Sequence, residues 1–455
     1  MPIAAPPSRR PCWHAWGWTQ RQSKTDAAGV ARGHEESGVA RKNIPTDQHA
    51  PQGRDKRGFL KRQWDRVEST DAAGVRTAYY LIIICTVILT CIGMVMVLSS
   101  SAVEYVSKDR DPFSLFSKQA MFGLAGLVAM FAIAALPMRF LKRLAWPVFF
   151  GAVALLGLVL IIGKEVLGNK NWIELGPFSV QPSEFAKFAI ILWGATVLAH
   201  KSRLLRDWRH ALVPVLFPGG LAVVGLVMLG HDLGTAMVLL LVLFVLLWTS
   251  GAPKIIFVLT LVLSLVGVIA MTILSPNRMG RITSWLGLNG DDSSGLGLQA
   301  LQGRYALASG GWFGVGLGQS RSKWSYIPEA QNDFILSIIG EELGLVGTLA
   351  IVVLFVILAV SMYRIAHRSR NLFVRVATSG VIAWLVGQAF INMGMVTGML
   401  PVIGVPLPFI SYGGSALLAA LCGVGLVLNF ARDQIRHGLP ASEEDVAAGA
   451  QERKA

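Results

Sequence analysis

The chain has 455 residues, of which 53% are hydrophobic and only 15% charged, with a formal net charge of +14. A soluble domain carries about 25% charged residues, and apolar runs of about 20 residues recur along most of this chain, which excludes a soluble fold and points to a polytopic helical membrane protein. The net charge alone would suit a nucleic-acid partner, but its distribution along the chain follows membrane topology instead.

Residues 1–78 are polar, basic and without a sustained helical or strand period, so they read as a disordered tail. Arg9-Arg10 is not followed closely by an apolar segment and does not make an export signal. The hexapeptide TDAAGV occurs at 25–30 and again at 70–75, too little for a repeat architecture. Ten spans follow, at about 79–98, 118–136, 145–163, 183–199, 212–230, 232–249, 254–274, 334–363, 374–396 and 410–431. Only Gly230-His231 separates the fifth from the sixth, and the eighth is long enough to project from the bilayer or tilt within it. A short tail, 432–455, ends the chain. Cys12 lies in the first tail and Cys85, Cys91 and Cys422 lie in apolar runs, so all four read as reduced and structural.

Orientation follows from the basic residues. With the first tail placed in the cytoplasm, 30 of the 41 Lys and Arg residues fall on cytoplasmic segments and 10 on outer ones, Lys187 being inside a span. The internal segments 137–144, 200–211 and 364–375 agree with the tail, so both termini are expected inside. No nucleic acid is needed to explain the charge. The large connection 275–333, between the seventh and eighth spans, and the Pro-rich connection 397–410 then face outward.

Four constellations carry possible chemistry. The first is the outer connection, whose residues 295–318 hold eight glycines, including GGWFGVGLG at 310–318. No Gly-Lys-Ser/Thr follows and no strand precedes, so neither nucleotide fingerprint fits. It is either a flexible or re-entrant connector or a set of amides able to approach an anionic headgroup, with Arg321 and Lys323 next to it to bind phosphate. The second is Asp333, at the mouth of the eighth span and followed by Phe-Ile-Leu. A carboxylate at a low-dielectric edge suits a general base, while Asn332 or Asp333 before a helix equally suits an N-cap. Ser337 and Glu341 would share its helical face.

The third is QPSEFAK, 181–187, where Glu184 and Lys187 stand three apart and can pair inside a span. NKNWIELGP at 169–177 puts Trp172 at the outer interface just before it. The fourth is LPVIGVPLPFISYGGS, 400–415, in which Pro401, Pro406 and Pro408 forbid regular helix and predict an ordered re-entrant segment. Gln388 and Asn392, four apart in the ninth span, are candidates to line the same cavity. No His/Cys cluster has metal-ligand spacing and no G-x-S-x-G elbow is present.

The set QPSEFAK, GVGLGQSRSKWSYIPEAQNDF, GEELGLVG and GMLPVIGVPLPFISYGGS, in this order, resembles the SEDS family (shape, elongation, division and sporulation) over roughly residues 79–431. The SRSKWSYIPEA segment is more similar to the division-type branch, FtsW, than to the elongation-type RodA branch. The resemblance implies an all-α bundle of about ten transmembrane helices and a peptidoglycan glycosyltransferase. Such an enzyme polymerises lipid II at the outer face of the cytoplasmic membrane during division. It acts with a class B penicillin-binding protein and other division proteins. The resemblance also implies that Asp333 is the essential aspartate and that Glu184 and Lys187 are the family's intramembrane pair. Arg321, Lys323, Glu184, Lys187, Trp172 and Ser411 are then the candidate substrate-binding residues. No tightly bound cofactor is expected, beyond a divalent cation as a candidate aid to the pyrophosphate. The sequence departs from the family where Gln331-Asn332 replaces His-Thr, where His231 replaces a proline, and where Asn171 replaces an arginine. The rival expectations are a lipid II flippase, an elongation-type polymerase and a non-catalytic scaffold.

Overall fold

The computed structural model describes residues 72–437, apart from 108, 110, 167–168, 177, 206, 274–275, 289–296 and 322–330. The basic tail, Lys323 and most of the SRSKWSYIPEA segment therefore lie outside the described residues. The elements, in chain order, are α1 (Ala72–Ser107), α2 (Ser114–Ala135), α3 (Met138–Ile162), β1 (Lys164–Val166), β2 (Asn169–Leu175), β3 (Phe178–Val180), α4 (Pro182–His200), α5 (Trp208–Leu212), α6 (Leu221–Leu229), α7 (Leu233–Ser250), α8 (Lys254–Ile273), α9 (Pro276–Trp285), α10 (Leu298–Ser309), α11 (Ile335–Arg368), α12 (Leu372–Ile382), α13 (Gln388–Val396) and α14 (Gly414–His437). Among the described residues eight helices are long and apolar enough to cross a membrane, and Val215–Leu229 and Lys254–Gly267 are shorter apolar helices. Together they fall on the ten expected spans. The protein is an all-α, multi-pass membrane protein.

Burial separates the centre of the bundle from its rim. In α4 and α14, 78% of the most apolar stretch is buried, against 22% in α11, so α4 and α14 are surrounded by protein and α11 presents a wide face to lipid. Tight helix contacts depend on small residues. A Cβ on Gly425 of α14 would lie 2.5 Å from the carbonyl oxygen of Met130 in α2. At the same interface Asn429 Nδ2 donates to the oxygens of Ile133, Ala134 and Leu136, at 3.0, 3.3 and 2.6 Å, satisfying carbonyls that the end of α2 leaves open.

The fifth and ninth spans are interrupted. Pro214 and Pro218 separate α5 from α6 through a π-helical turn, Val215–Gly220, with Phe217 in extended conformation. The ninth span carries a π-turn, Ala383–Gly387, between α12 and α13, a distortion that recurs at functional sites. The connection 164–180, which sequence periodicity left without structure, is a three-stranded antiparallel sheet in the order β1-β2-β3. Lys170 in β2 donates through Nζ to Leu160 O at 2.7 Å and Ile161 O at 3.1 Å, a cation on the carbonyl end of α3.

The long connection 275–333 is likewise not a bare loop, since it contains α9 and α10. Its glycine run breaks into α11. Gly344 has φ 68° and ψ −165°. In an unbroken helix Leu345 N and Val346 N would bond the carbonyls of Glu341 and Glu342. Here they bond Gly311 O (2.9 Å) and Trp312 O (3.1 Å), while Val315 N and Gly316 N bond Glu341 O (2.9 Å) and Glu342 O (3.1 Å). Two donors and two acceptors are exchanged, so the break leaves this backbone satisfied. The amides of Val315 and Gly316 therefore serve α11. Gly344→Ala is expected to lower the melting temperature strongly. The conformation alone costs about 1–3 kcal/mol, and the new Cβ would lie 2.4 Å from Gly314 N. An unchanged melting curve in detergent would show that the break is not held as described.

Candidate active site

The site is built on an irregular segment, 397–413, between α13 and α14. Pro401, Pro406 and Pro408 deny it helical hydrogen bonding. Backbone at membrane depth must still find partners, and three amide side chains from the spans provide them. Asn392 Nδ2 donates to Val405 O at 2.7 Å and Gln388 Nε2 to Pro406 O at 2.8 Å. Gln119 of α2 donates through Nε2 to Ser411 O (3.2 Å) and accepts from Gly413 N (3.1 Å). The segment is non-helical as expected; Gln388 lines the cavity beside it, whereas Asn392 is not among that cavity's lining residues, and both side chains hold the segment's backbone.

That segment in turn grips the turn that carries Asp333. Three successive carbonyls of the turn are each held by a different donor. Tyr412 N donates to Gln331 O (2.9 Å), Ser411 Oγ to Asn332 O (2.6 Å), and Asn392 Nδ2 to Asp333 O (2.8 Å). Asp333 is half-buried and precedes the helix. The N-cap position of α11 falls on Phe334, one residue past Asp333, and no side-chain cap bond is made from it. Phe334 is fully buried under α10, where a Cβ on Gly303 would come within 2.7 Å of its ring. Gly404, at φ 80°, faces the carboxylate, and a Cβ there would lie 3.4 Å from Asp333 Oδ2. The main chain on both sides of the carboxylate is thus fixed by these contacts.

Asn392 is the hinge of this arrangement, because one fully buried NH₂ group serves both Asp333 O and Val405 O. Asn392→Leu leaves two carbonyls without that donor, at about 1–3 kcal/mol for each one that stays buried and unpaired. The variant is expected to unfold at a clearly lower temperature than the parent, as read by thermal unfolding in lipid nanodiscs. Equal melting temperatures would mean that other groups carry these carbonyls.

Behind the segment lies the ion pair read from QPSEFAK. Lys187 Nζ is 2.7 Å from Glu184 Oε1 and donates to Gln388 Oε1 at 2.9 Å. It also lies 5.5 Å from the ring centroid of Trp384. Both charged residues are almost fully buried. Gln388 therefore links the pair to Pro406 and the segment that holds Asp333. Glu184, Gln388, Ser411 and Tyr412 are among the residues lining a cavity of about 10 Å³, room for a single water.

The remaining candidates separate. Ser411 is buried, with its hydroxyl donating to Asn332 O and accepting from Leu407 N at 2.8 Å, so it positions the turn. Arg321 is exposed, and its main-chain N donates to Glu341 Oε1 at 3.0 Å, while Ser320 Oγ donates to the other oxygen of Glu341. The acidic pair in GEELG thereby fastens two partners, since Glu342 accepts from Ser99 of α1 at 2.8 and 2.9 Å. Trp172 is half-buried on β2, opposite Lys164.

One polar cluster was missed. Buried Asp232 caps α7, accepting from Thr235 N (2.9 Å), Thr235 Oγ1 (2.8 Å), Asn171 Nδ2 (3.0 Å) and Gln181 Nε2 (3.1 Å). The signal was present in Asp232-Leu-Gly-Thr, an acidic N-cap pattern directly after the tight Gly230-His231 turn.

Similarity to known proteins covers nearly all of this architecture. A family model, FTSW_RODA_SPOVE, described as "Cell cycle protein", matches residues 79–435. The chain is 41% identical over 360 residues to "Probable peptidoglycan glycosyltransferase FtsW" of Mycobacterium tuberculosis, covering 79% of this chain and 68% of that protein. It is 39% identical over 359 residues to "Stage V sporulation protein E" of Bacillus subtilis, covering 77% and 96%. Among solved structures, a chain from "Structural coordination of polymerization and crosslinking by a peptidoglycan synthase complex" superposes with a TM-score of 0.64 at 31% identity, over 78% of this chain and 97% of that one. The rod shape determining protein RodA of Thermus thermophilus superposes with a TM-score of 0.57 at 31% identity, over 77% and 96%.

Proposed function

The chain belongs to the FTSW_RODA_SPOVE family of cell cycle proteins, and from that membership we propose that it is a division-type peptidoglycan glycosyltransferase that polymerises lipid II. Relatives carrying the glycosyltransferase name support the activity. The observation that carries the site is the Asp333 turn, with three consecutive carbonyls held and the half-buried carboxylate placed at the start of α11.

In this scheme Asp333 takes the proton from the acceptor sugar's 4-hydroxyl as that oxygen attacks the anomeric carbon of the donor. The bond to the lipid pyrophosphate breaks, and the pyrophosphate leaves with the electron pair. Attack opposite the leaving group turns an α-linked donor into a β-1,4 product. A pyrophosphate needs charge stabilisation more than a strong acid, and exposed Arg321 together with Lys323 supplies it. Trp172 borders the headgroup, while Glu184, Lys187 and Ser411 hold the wall behind the base. No resident cofactor enters the scheme.

The 275–333 and 397–413 connections face outward, both termini are cytoplasmic, and the protein works in the cytoplasmic membrane at the septum. Its partner is a class B penicillin-binding protein, in line with the synthase complex to which the chain is similar. The deciding experiment supplies purified chain in proteoliposomes with lipid II, with and without that partner, its transpeptidase blocked. Glycan polymer resolved on gels is the expected result. Lipid II crossing the bilayer without polymer would favour the flippase instead. Depletion in cells separates the branches, since filaments indicate division and round cells indicate elongation.

A further inference from the structure

We propose that Trp312 and Phe313, at the tip of the glycine loop, are a membrane anchor that sits in the boundary between headgroups and acyl chains. Trp312 is 70% exposed and Phe313 83%, with Val315 and Leu317 also exposed beside them. Neither aromatic takes part in the site described above. Large apolar side chains this exposed mark a binding surface when they join a larger apolar patch, and here they do.

The patch continues onto α11. Leu345, Val346, Leu349, Val353, Val356 and Val360 are all exposed on a helix apolar enough to cross a membrane. That face is the lipid surface of the bundle. The loop is locked to its start by the exchanged backbone bonds, Leu345 N to Gly311 O and Val346 N to Trp312 O. The close approach of Gly314 to Glu342 and of Gly344 to Gly314 allows no slack. Trp312 and Phe313 are therefore held at the level where the lipid-facing run of α11 begins. Tryptophan is enriched at that level in membrane proteins, because its ring is apolar and its N–H is polar. The occupant that fits is the bilayer itself, because the exposed apolar face of α11 runs on from these residues.

The anchor bears on the same connection that leads to Ser320 and Arg321, three residues past Leu317 at the nearest. It holds that stretch against the lipid surface, where a lipid-carried headgroup would arrive. This consequence rests on the proposed function, whereas the anchoring itself does not.

The test places an environment-sensitive fluorophore on Phe313→Cys, and separately on Trp312→Cys, in a chain whose own four cysteines are replaced. Ala308→Cys, an exposed position on α10, is labelled in parallel. The proteins are reconstituted in phosphatidylglycerol–phosphatidylethanolamine vesicles carrying nitroxide lipids. Insertion to about 5–10 Å predicts at least about a twofold loss of emission at 312 and 313 with the nitroxide high on the acyl chain, weaker loss with the nitroxide at the chain end, and little effect of aqueous iodide. Quenching by iodide with none by the nitroxide lipids overturns the proposal. Shielding from both quenchers also overturns it, since a second protein surface would then cover the patch. Catalytic failure with normal lipid quenching would reject the proposed function and leave the anchor standing.

Discussion

Asp333→Asn is expected to abolish glycan polymerisation by the purified chain, with a loss of about 100- to 10,000-fold, the usual contribution of a general base. Asparagine has nearly the shape of aspartate but no basic oxygen at neutral pH. The turn is held through the carbonyls of Gln331, Asn332 and Asp333 themselves, and those bonds do not involve the side chain of residue 333. The substitution thus removes the base and leaves these three bonds in place. Melting temperature and elution profile should match the parent, and lipid II should still bind. Asp333→Glu keeps the charge but lengthens the arm and displaces the carboxylate from the position that the held turn sets, so it should recover only a small part of the rate. Polymer from Asp333→Asn at the parental rate would remove Asp333 from the chemistry and return attention to Asp232 and Glu341.

The second large effect is expected on folding. Lys187→Met leaves Glu184 as an uncompensated carboxylate in a span, almost fully buried. Breaking a buried pair on one side costs about 3–5 kcal/mol, a large part of what holds a protein together. Gln388 also loses the donor to its Oε1, and Gln388 is the residue that reaches Pro406. The single variant should therefore show a sharply lower melting temperature and poor recovery from the membrane. The double variant Glu184→Gln with Lys187→Met removes both charges and should regain most of the loss, since replacing an entire buried pair is often close to neutral. A single variant as stable as the parent would mean that the pair contributes little to the fold. A double variant no better than the single would mean that the loss comes from the contacts of the lysine ammonium with Trp384 and Gln388 and not from the unpaired carboxylate.

The spans were legible because a bilayer imposes one crude requirement, a run of about 20 apolar residues, and ten such runs can be counted. Glu184 and Lys187 were legible for the same reason, as charges standing out in an apolar run. The sheet at 164–180 was not, because β1 and β3 have only three residues each and β2, NKNWIEL, does not alternate apolar and polar residues. The break at Gly344 was hidden because the hydrophobic run continues through it, and what permits it lies about 30 residues away in the glycine loop. The grip on Asp333 was hidden in a different way. Its donors come from Asn392, Ser411 and Tyr412, and a single sequence does not say which distant amide meets which carbonyl. Asn332 and Asp333 in front of a helix gave a local cap signal, but the assigned N-cap falls one residue later, on Phe334.

The broken helix α11 also answers a question of thickness. As one piece its 34 residues would measure about 51 Å, against a hydrocarbon core of about 30 Å. Such a mismatch would force steep tilting or deform the surrounding lipid. The interruption at Gly344 divides that length. The part before it, with Glu341 and Glu342, is solvated by protein, and only residues 345–368, about 36 Å, are measured against the bilayer. The glycine loop thereby sets where this span ends, and the piece joined to Asp333 is free of the bilayer's preference for a particular length.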